Sequence, residues 1–349
     1  MNKKYFLLIL ILFLIIGGIY YFEKMKANTP LDVSEITTTL SQPFSKNGYV
    51  LAPELVGIVG YLNTDSDLKI GNLRGKIVLI DFWTYSCINC IRTLPYLKEW
   101  HTKYKDQGLV IIGVHTPEFE FEKDYENVKR FVEENDIFYP VVLDNDYRTW
   151  RAYNNRYWPR KYLIDADGYI RYDHIGEGAY EETEKKIQEL LAEIGMDIDE
   201  EFVSLEDQTP KTKQTPELYA GYDFALSRGQ NIGNEEGLQP GKEVTYKLPE
   251  NLKDDVIYLE GTWKSNSDSL ESVSGGEVVL KFTAGSVHVV ADALDELLSV
   301  DVFIDEKQMS PVLIDEPKLY TVYSGEYGSY VLKLKVKKGF LFNAFTFGS

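Results

Sequence analysis

The sequence predicts an α/β domain followed by an all-β sandwich, jelly-roll-like in class, behind one N-terminal transmembrane helix. Three observations carry this. Residues 5–22 (YFLLILILFLIIGGIYYF) contain no charge. From about residue 50 to 195, short apolar runs alternate with amphipathic segments, as in α/β chains. From residue 244 onward there are about eight short strand-like runs and no convincing long helix, which reads as a small sandwich.

The uncharged run is close to the ~20 residues that span a bilayer as a helix. Lys3 and Lys4 precede it, and Tyr20, Tyr21 and Phe22 close it as an interfacial belt would. No small-x-small cleavage site follows, and no cysteine follows that lipoprotein processing could use. The expectation is an uncleaved anchor over 1–26 with a cytoplasmic amino terminus, although Lys24 and Lys26 weaken the charge asymmetry. A polar tether over 27–49 leads to the first domain. At a formal charge of −18 the chain lacks the basic surface that nucleic acid requires.

Within 50–195, Ile77–Trp83 (IVLIDFW) is nearly all apolar and suits a strand buried on both faces. Ile91, Leu94, Leu97, Trp100 and Tyr104 then recur at helical spacing, with Gly108 placed to end the helix. Residues 109–114 (LVIIGV) read as a second buried strand, so the crossover is parallel and right-handed. A helix at about 125–134, a strand at 139–143 and a short helix at 147–153 follow. The Asp165-Ala166-Asp167-Gly168 turn predicts a hairpin between 161–164 and 169–174. A closing helix spans about 180–194. Residues 196–240 are turn-rich, acidic and interrupted by Pro210, Pro216 and Pro240, so they read as a linker, with Leu218–Tyr222 as a stretch suited to docking. The sandwich is expected over 241–349, with strands that include 256–259, 278–283, 286–291, 298–304, 330–336 and 340–347.

Cys87 and Cys90 are the only cysteines, and they form Cys-Ile-Asn-Cys where the buried strand meets the long helix. N–H groups and the dipole at a helix N-terminus favour negative charge, which predicts a lowered pKa for Cys87 and a nucleophilic thiolate. Cys90, one turn further on, can attack back and release a mixed disulfide. A structural disulfide over so short a loop would add only about 2 kcal/mol. A zinc site needs about four ligands, and His101, His115, His174 and His288 are scattered. No metal and no cofactor is expected beyond the redox pair itself. Asp81 lies in the apolar strand, six residues before Cys87. If it is not simply an edge polar residue, burial would raise its pKa and let it shuttle the Cys90 proton. Trp158-Pro159 precedes a strand, where an X–Pro bond can be cis. His115, Glu118, Glu120 and Glu122 follow the second strand, where α/β folds place functional loops.

The run from Asp81 to Cys90 (DFWTYSCINC), with Pro95 in the following helix, resembles the active-site segment of the thioredoxin superfamily, in its membrane-anchored redoxin (TlpA-like) branch. Trp-Thr-Tyr-Ser-Cys-Ile-Asn-Cys, the His115–Phe119 segment, Tyr157-Trp158-Pro159 and the closing Phe345-Thr346-Phe347-Gly348 make it most similar to the carboxy-terminal part of DipZ-type proteins. The resemblance covers about residues 50–349. It implies Cys87 as nucleophile, Cys90 as resolving thiol, Asp81 as buried acid and Pro159 as a cis-proline facing the pair. Trp83, Trp158, Ile88, Asn89, His115 and Glu118 would shape the substrate groove. It also implies an extracytoplasmic catalytic domain and a carbohydrate-binding-module-like sandwich. DipZ-type proteins carry a multi-helix electron-transporting membrane domain ahead of this part, so a separate membrane electron donor is expected here. The implied activity is thiol–disulfide reduction of client proteins, of the disulfide-repair or cytochrome c maturation kind. A thiol oxidase or peroxide-linked redoxin is the enzymatic alternative, and cell-wall or glycan binding through the sandwich is the alternative from another class.

Overall fold

The computed structural model describes residues 45–46, 48–198, 201–294 and 297–348. The expected anchor over 1–26 and most of the expected tether lie outside the described residues. Among the described residues no helix is long and apolar enough to cross a membrane. Two-residue strands β1 (Ser45–Lys46) and β2 (Tyr49–Val50) pair antiparallel.

From Leu51 onward the chain forms a second unit, which opens with the α/β domain. Its six-stranded sheet contains β3 (Gly60–Leu62), β4 (Ile77–Trp83), β5 (Leu109–His115), β6 (Val141–Leu143), β7 (Arg160–Ile164) and β8 (Ile170–Ile175). Their order is β3-β6-β5-β4-β7-β8. The neighbours β4, β5 and β6 run parallel, and β3, β7 and β8 pair antiparallel at the two sides.

Every residue of β4 is buried. Side chains alternate along a strand, so Ile77, Leu79, Asp81 and Trp83 face one side of the sheet and Val78, Ile80 and Phe82 the other. The first side packs on α1 (Ile88–Tyr104) and on the closing helix, through Leu97, Trp100, Leu190 and Leu191. The second packs against Ile70, Trp150 and Tyr153. Each such apolar side chain contributes roughly 1.5–3 kcal/mol on burial. Helix α1 ends in a 3-10 turn and Gly108, whose φ of 105° places it in the left-handed region where glycine is favoured. The remaining helices are α2 (Tyr125–Glu134), α3 (Arg148–Ala152) and α4 (Tyr180–Glu193).

A large β-rich sheet region follows. Its strands are β9 (Leu218–Tyr219), β10 (Glu243–Tyr246), β11 (Ile257–Ser265), β12 (Leu270–Ala293), β13 (Leu298–Ile304), β14 (Lys307–Gln308), β15 (Val312–Ile314), β16 (Lys318–Val336) and β17 (Phe340–Gly348). The runs 278–283 and 286–291, expected as two strands, are one continuous strand, β12. Its register shifts between Ala284 and Ser286, and its partners change there. Before the shift it pairs mainly with β11 and the second half of β16, with Leu270 and Glu271 also on β17; after it, with β17 and the first half of β16. The Thr-Ala-Gly-Ser stretch that suggests a turn is instead a bulge, which bends a strand without ending it.

Residues 196–240 are more than a connector. Glu184 on α4 accepts the backbone N–H of Val203, and Tyr96 of α1 donates to the carbonyl of Leu205. Further on, β9 pairs with β17, and a short helix α5 (Tyr222–Ser227) follows it. Leu218, Tyr219, Ala220, Ala225, Ile232 and Leu238 are part of the core of the β region. The proline and acidic content that suggests a linker reflects turns between these small anchoring pieces.

Glu184 ties α1, α4 and this strap together. Besides Val203, its carboxylate accepts Trp100 Nε1 at 3.1 Å and the Tyr104 hydroxyl at 2.6 Å, and it pairs with Lys103 at 3.1 Å. Glu184→Ala leaves these buried donors unsatisfied and is expected to cost about 3 kcal/mol. A lowered urea midpoint with an unchanged m-value is the expected readout.

Candidate active site

The site begins where β4 ends. Trp83 completes the strand, Thr84-Tyr85-Ser86 make the turn, and Cys87 is the N-cap of α1 with extended φ and ψ of −81° and 112°. The Cys87 sulfur accepts the Cys90 backbone N–H at 3.3 Å, as an N-cap side chain does. Both cysteines are free thiols. The Cys90 thiol donates to Cys87 Sγ at 2.6 Å, so a small displacement brings the pair to the ~2.05 Å of a disulfide. Cys87 is half-buried and Cys90 is 1% exposed. The outer sulfur is thus the one a second molecule can reach.

The thiol pKa of Cys87 departs from the sequence expectation. Burial pushes it above its ordinary value, opposed by the hydrogen bond from the Cys90 thiol, while the carboxylates of Glu217 and Glu118 push it further up. The helix terminus is present, but desolvation outweighs it. Cys90 lies well above the usual thiol range, first from burial and then from its hydrogen bond to Cys87, with Asp81 adding to the rise.

Asp81 is 1% exposed and shares the α1-facing side of β4. Burial pushes it up to about 7, with Lys161 opposing the rise. Lys161, itself fully buried, lies directly across from Asp81 in the β4–β7 register. Desolvation lowers its pKa, while Asp81, Cys90 and Glu177 raise it. Two ionisable groups of opposite sign thus share the apolar layer below Cys90. Tyr139 is also buried there and is raised well above the usual phenol range by desolvation, then by Asp81.

Several residues expected in an open groove lie deeper. Trp83 is buried, its indole edge-on to His115 at 5.1 Å. A Cβ on Gly113 would come within 2.8 Å of Trp83 Nε1, so the indole lies close against the glycine backbone. His115 is fully buried, stacked on Tyr85 and 3.3 Å from Thr84 Oγ1. Burial lowers its pKa to about 3, so it is neutral across the ordinary pH range. Glu118 accepts the Tyr219 hydroxyl at 2.7 Å and lies 3.8 Å from Arg228, on the side of its loop that faces the β region. Ile88 and Asn89 are half-buried, and Arg92 ties Asn89 to Glu177 through contacts of 2.7 and 2.8 Å. Trp158 is half-buried, donates to the Thr116 carbonyl at 3.0 Å and packs on the cluster that contains Cys90. The Trp158-Pro159 bond is cis.

Glu122, one of the acids expected in the functional loop after the second strand, is a positioning residue. Fully buried, it accepts the Ser86 hydroxyl at 2.6 Å and N–H groups of Glu118 and Phe119 at 2.5 and 2.9 Å. It therefore fastens the loop after β5 to the turn that presents Cys87. The hint in the sequence was its place in the acidic stretch after the second strand.

A dithiol capping the first helix after a two-sided buried strand, with a carboxylate beneath and a cis-proline strand beside it, defines a thioredoxin-like domain, here continued by a β region. Residues 60–173 match the AhpC/TSA family, and 215–348 match the family described as thioredoxin like C-terminal domain. The chain is 37% identical over 305 residues to protein DipZ of Mycobacterium tuberculosis, covering 85% of this chain and 43% of DipZ. It is 34% identical over 143 residues to thiol-disulfide oxidoreductase YkuV of Bacillus subtilis, covering 40% of this chain and 94% of YkuV. Against thiol-disulfide oxidoreductase ResA of Bacillus cereus it is 32% identical over 123 residues, covering 35% of this chain and 68% of ResA. The chain belongs to the thioredoxin-like thiol–disulfide oxidoreductases. It spans less than half the length of the DipZ proteins it matches.

A carboxyl at the Asp81 position can take a proton from Cys90 only when ionised. With its value near 7 it is protonated below that pH and ionised above, so the rate of mixed-disulfide release should rise through about pH 7. Asp81→Asn is expected to remove that limb and slow release by about 10². Stopped-flow measurement of the release step across pH checks both.

Proposed function

We propose that this chain is a membrane-anchored, extracytoplasmic reductase of protein disulfides. The observation that carries the reading is the asymmetry of the pair: a reachable Cys87 at the helix N-cap and a sealed Cys90 above Asp81. The Cys87 thiolate attacks a client disulfide, forming a mixed disulfide and expelling one client thiolate. Asp81 takes the Cys90 proton, and the Cys90 thiolate attacks Cys87 Sγ. That breaks the mixed disulfide, releases the second client thiol and leaves Cys87–Cys90 oxidised. Two electrons have passed to the client, and an external dithiol must return them. A separate membrane electron donor fits that need, and no organic cofactor or metal enters the cycle.

The reducing direction rests on the Cys87 pKa. Strong oxidants of this class owe their potential to a stabilised reduced form. Here burial and the neighbouring Glu217 and Glu118 disfavour the thiolate instead. The uncharged run at 5–22 supports the anchor, and clients in disulfide repair or cytochrome c maturation suit an external site. The change of partners along β12 supports a jelly-roll-like sandwich for the β region.

Equilibration of the chain in graded thiol buffers should give a potential nearer roughly −270 mV than roughly −120 mV; a value at the oxidising end would sink the reductase reading. Cys90→Ser should accumulate client proteins disulfide-linked through Cys87, and Cys87→Ser should accumulate none. Absence of trapped species in Cys90→Ser would argue against exchange chemistry.

A further inference from the structure

An open cleft of about 490 Å³ lies over the first turns of α1. Its floor is Ile88 and Arg92 of α1, and Ile88 is the neighbour of Cys87. One wall is the strap at Gln208; the other is the β region, through Ser286, His288 and Ser324. The volume lies in the range of sites that hold small ligands, roughly 300–1,000 Å³. The β region therefore supplies one side of a pocket whose floor includes the residue that follows Cys87.

The lining is preorganised and polar. His288 is held at both ring nitrogens, by Ser286 Oγ at 3.1 Å and Thr321 Oγ1 at 3.0 Å. Arg92 is fixed by its two bonds to Glu177 and one to Asn89. Among the described residues no phenyl, phenol or indole ring lines the cleft, so these residues offer no aromatic face on which a sugar ring would stack. The hydroxyls of Ser286, Thr321 and Ser324 and the Gln208 amide, rimmed by Glu206, Asp207 and Lys211, are instead groups that hydrogen-bond peptide N–H and C=O groups. A folded protein surface is too broad for such a slot, whereas an extended chain fits it.

We propose that this cleft holds the extended polypeptide segment flanking the client's disulfide, so that the enzyme selects unfolded or flexible protein clients. The proposal deepens the exchange reading and rests on it for the identity of the occupant. Ser324 and Gln208 are exposed, so a tryptophan at either position fills the cleft without burdening the core.

The test uses the full chain, wild type, Ser324→Trp and Gln208→Trp. Two probes are compared: a short fluorescent peptide of Ser, Thr and Asn with serine in place of its central cysteine, and hydroxyethyl disulfide as a small substrate. Peptide binding should weaken about tenfold or more in both variants, a change of about 1.4 kcal/mol, while hydroxyethyl disulfide turnover stays within about twofold of wild type. Equal peptide binding in all three proteins, or none by wild type, overturns the proposal. So does a chito-oligosaccharide whose binding is lost in the variants while peptide binding persists. If wild type fails to turn over hydroxyethyl disulfide yet binds the peptide in a cleft-dependent way, the cleft stands and the exchange reading falls.

Discussion

Burial of β4 on both faces is the constraint on which the site depends. Its backbone is saturated by β5 on one side and β7 on the other, and helices or loops cover both faces. A strand so enclosed can deliver functional groups only at its end or beneath its covering helix. Cys87 uses the first route and Asp81 the second. The carboxyl cannot reach water, so its proton affinity is set by the apolar layer and by Lys161 across the register. A buried lysine opposite a buried acid is costly without such pairing. Lys161 acts on Asp81 through its field rather than by contact: its Nζ donates to the Gly176 carbonyl at 3.4 Å, and Asp81 Oδ1 has no hydrogen-bond partner among the described residues.

The β region enters the site as structure rather than as an appendage. Tyr85, in the turn before Cys87, donates to the Pro317 carbonyl at 3.1 Å, and Arg130 pairs with Glu316 at 2.6 Å. Glu118 and Glu217 share the Tyr219 hydroxyl, and Arg228 lies over the Tyr219 ring at 4.3 Å. A phenol has one proton to donate, so this three-oxygen group favours retaining a proton on one carboxyl. Those same two carboxylates raise the Cys87 thiol. The electrostatic character of the dithiol is thus set partly by Glu217, which lies far downstream in the chain.

Much of this was legible in the chain because it depends on local pattern. The unbroken apolar run of β4, the helical spacing after Cys87 and the Asp-Gly turn before β8 each fix one element without reference to the rest. What was not legible depends on register or on distant contacts. Lys161 reads as an ordinary strand-end lysine until β7 is known to pair with β4. Glu122 reads as one acid among several until its loop folds back on Ser86. Trp83 and His115 read as groove residues because their neighbours in sequence lie at the site, yet Phe131, Tyr85 and Gly113 enclose them. The Cys87 thiol shows the same limit: a helix N-terminus is visible in sequence, but the desolvation that outweighs it is not.

Phe119 belongs to the loop of the α/β domain that Glu122 fastens, yet it is buried in the core of the β region, against Tyr219 and Phe224. A side chain that serves another region's core cannot stay in place when that core melts. Loss of the β region would withdraw Phe119, free the loop that carries Glu122 and loosen the turn beneath Cys87. Through Phe119 the order of the loop beneath the redox centre is therefore coupled to the folding of the β region.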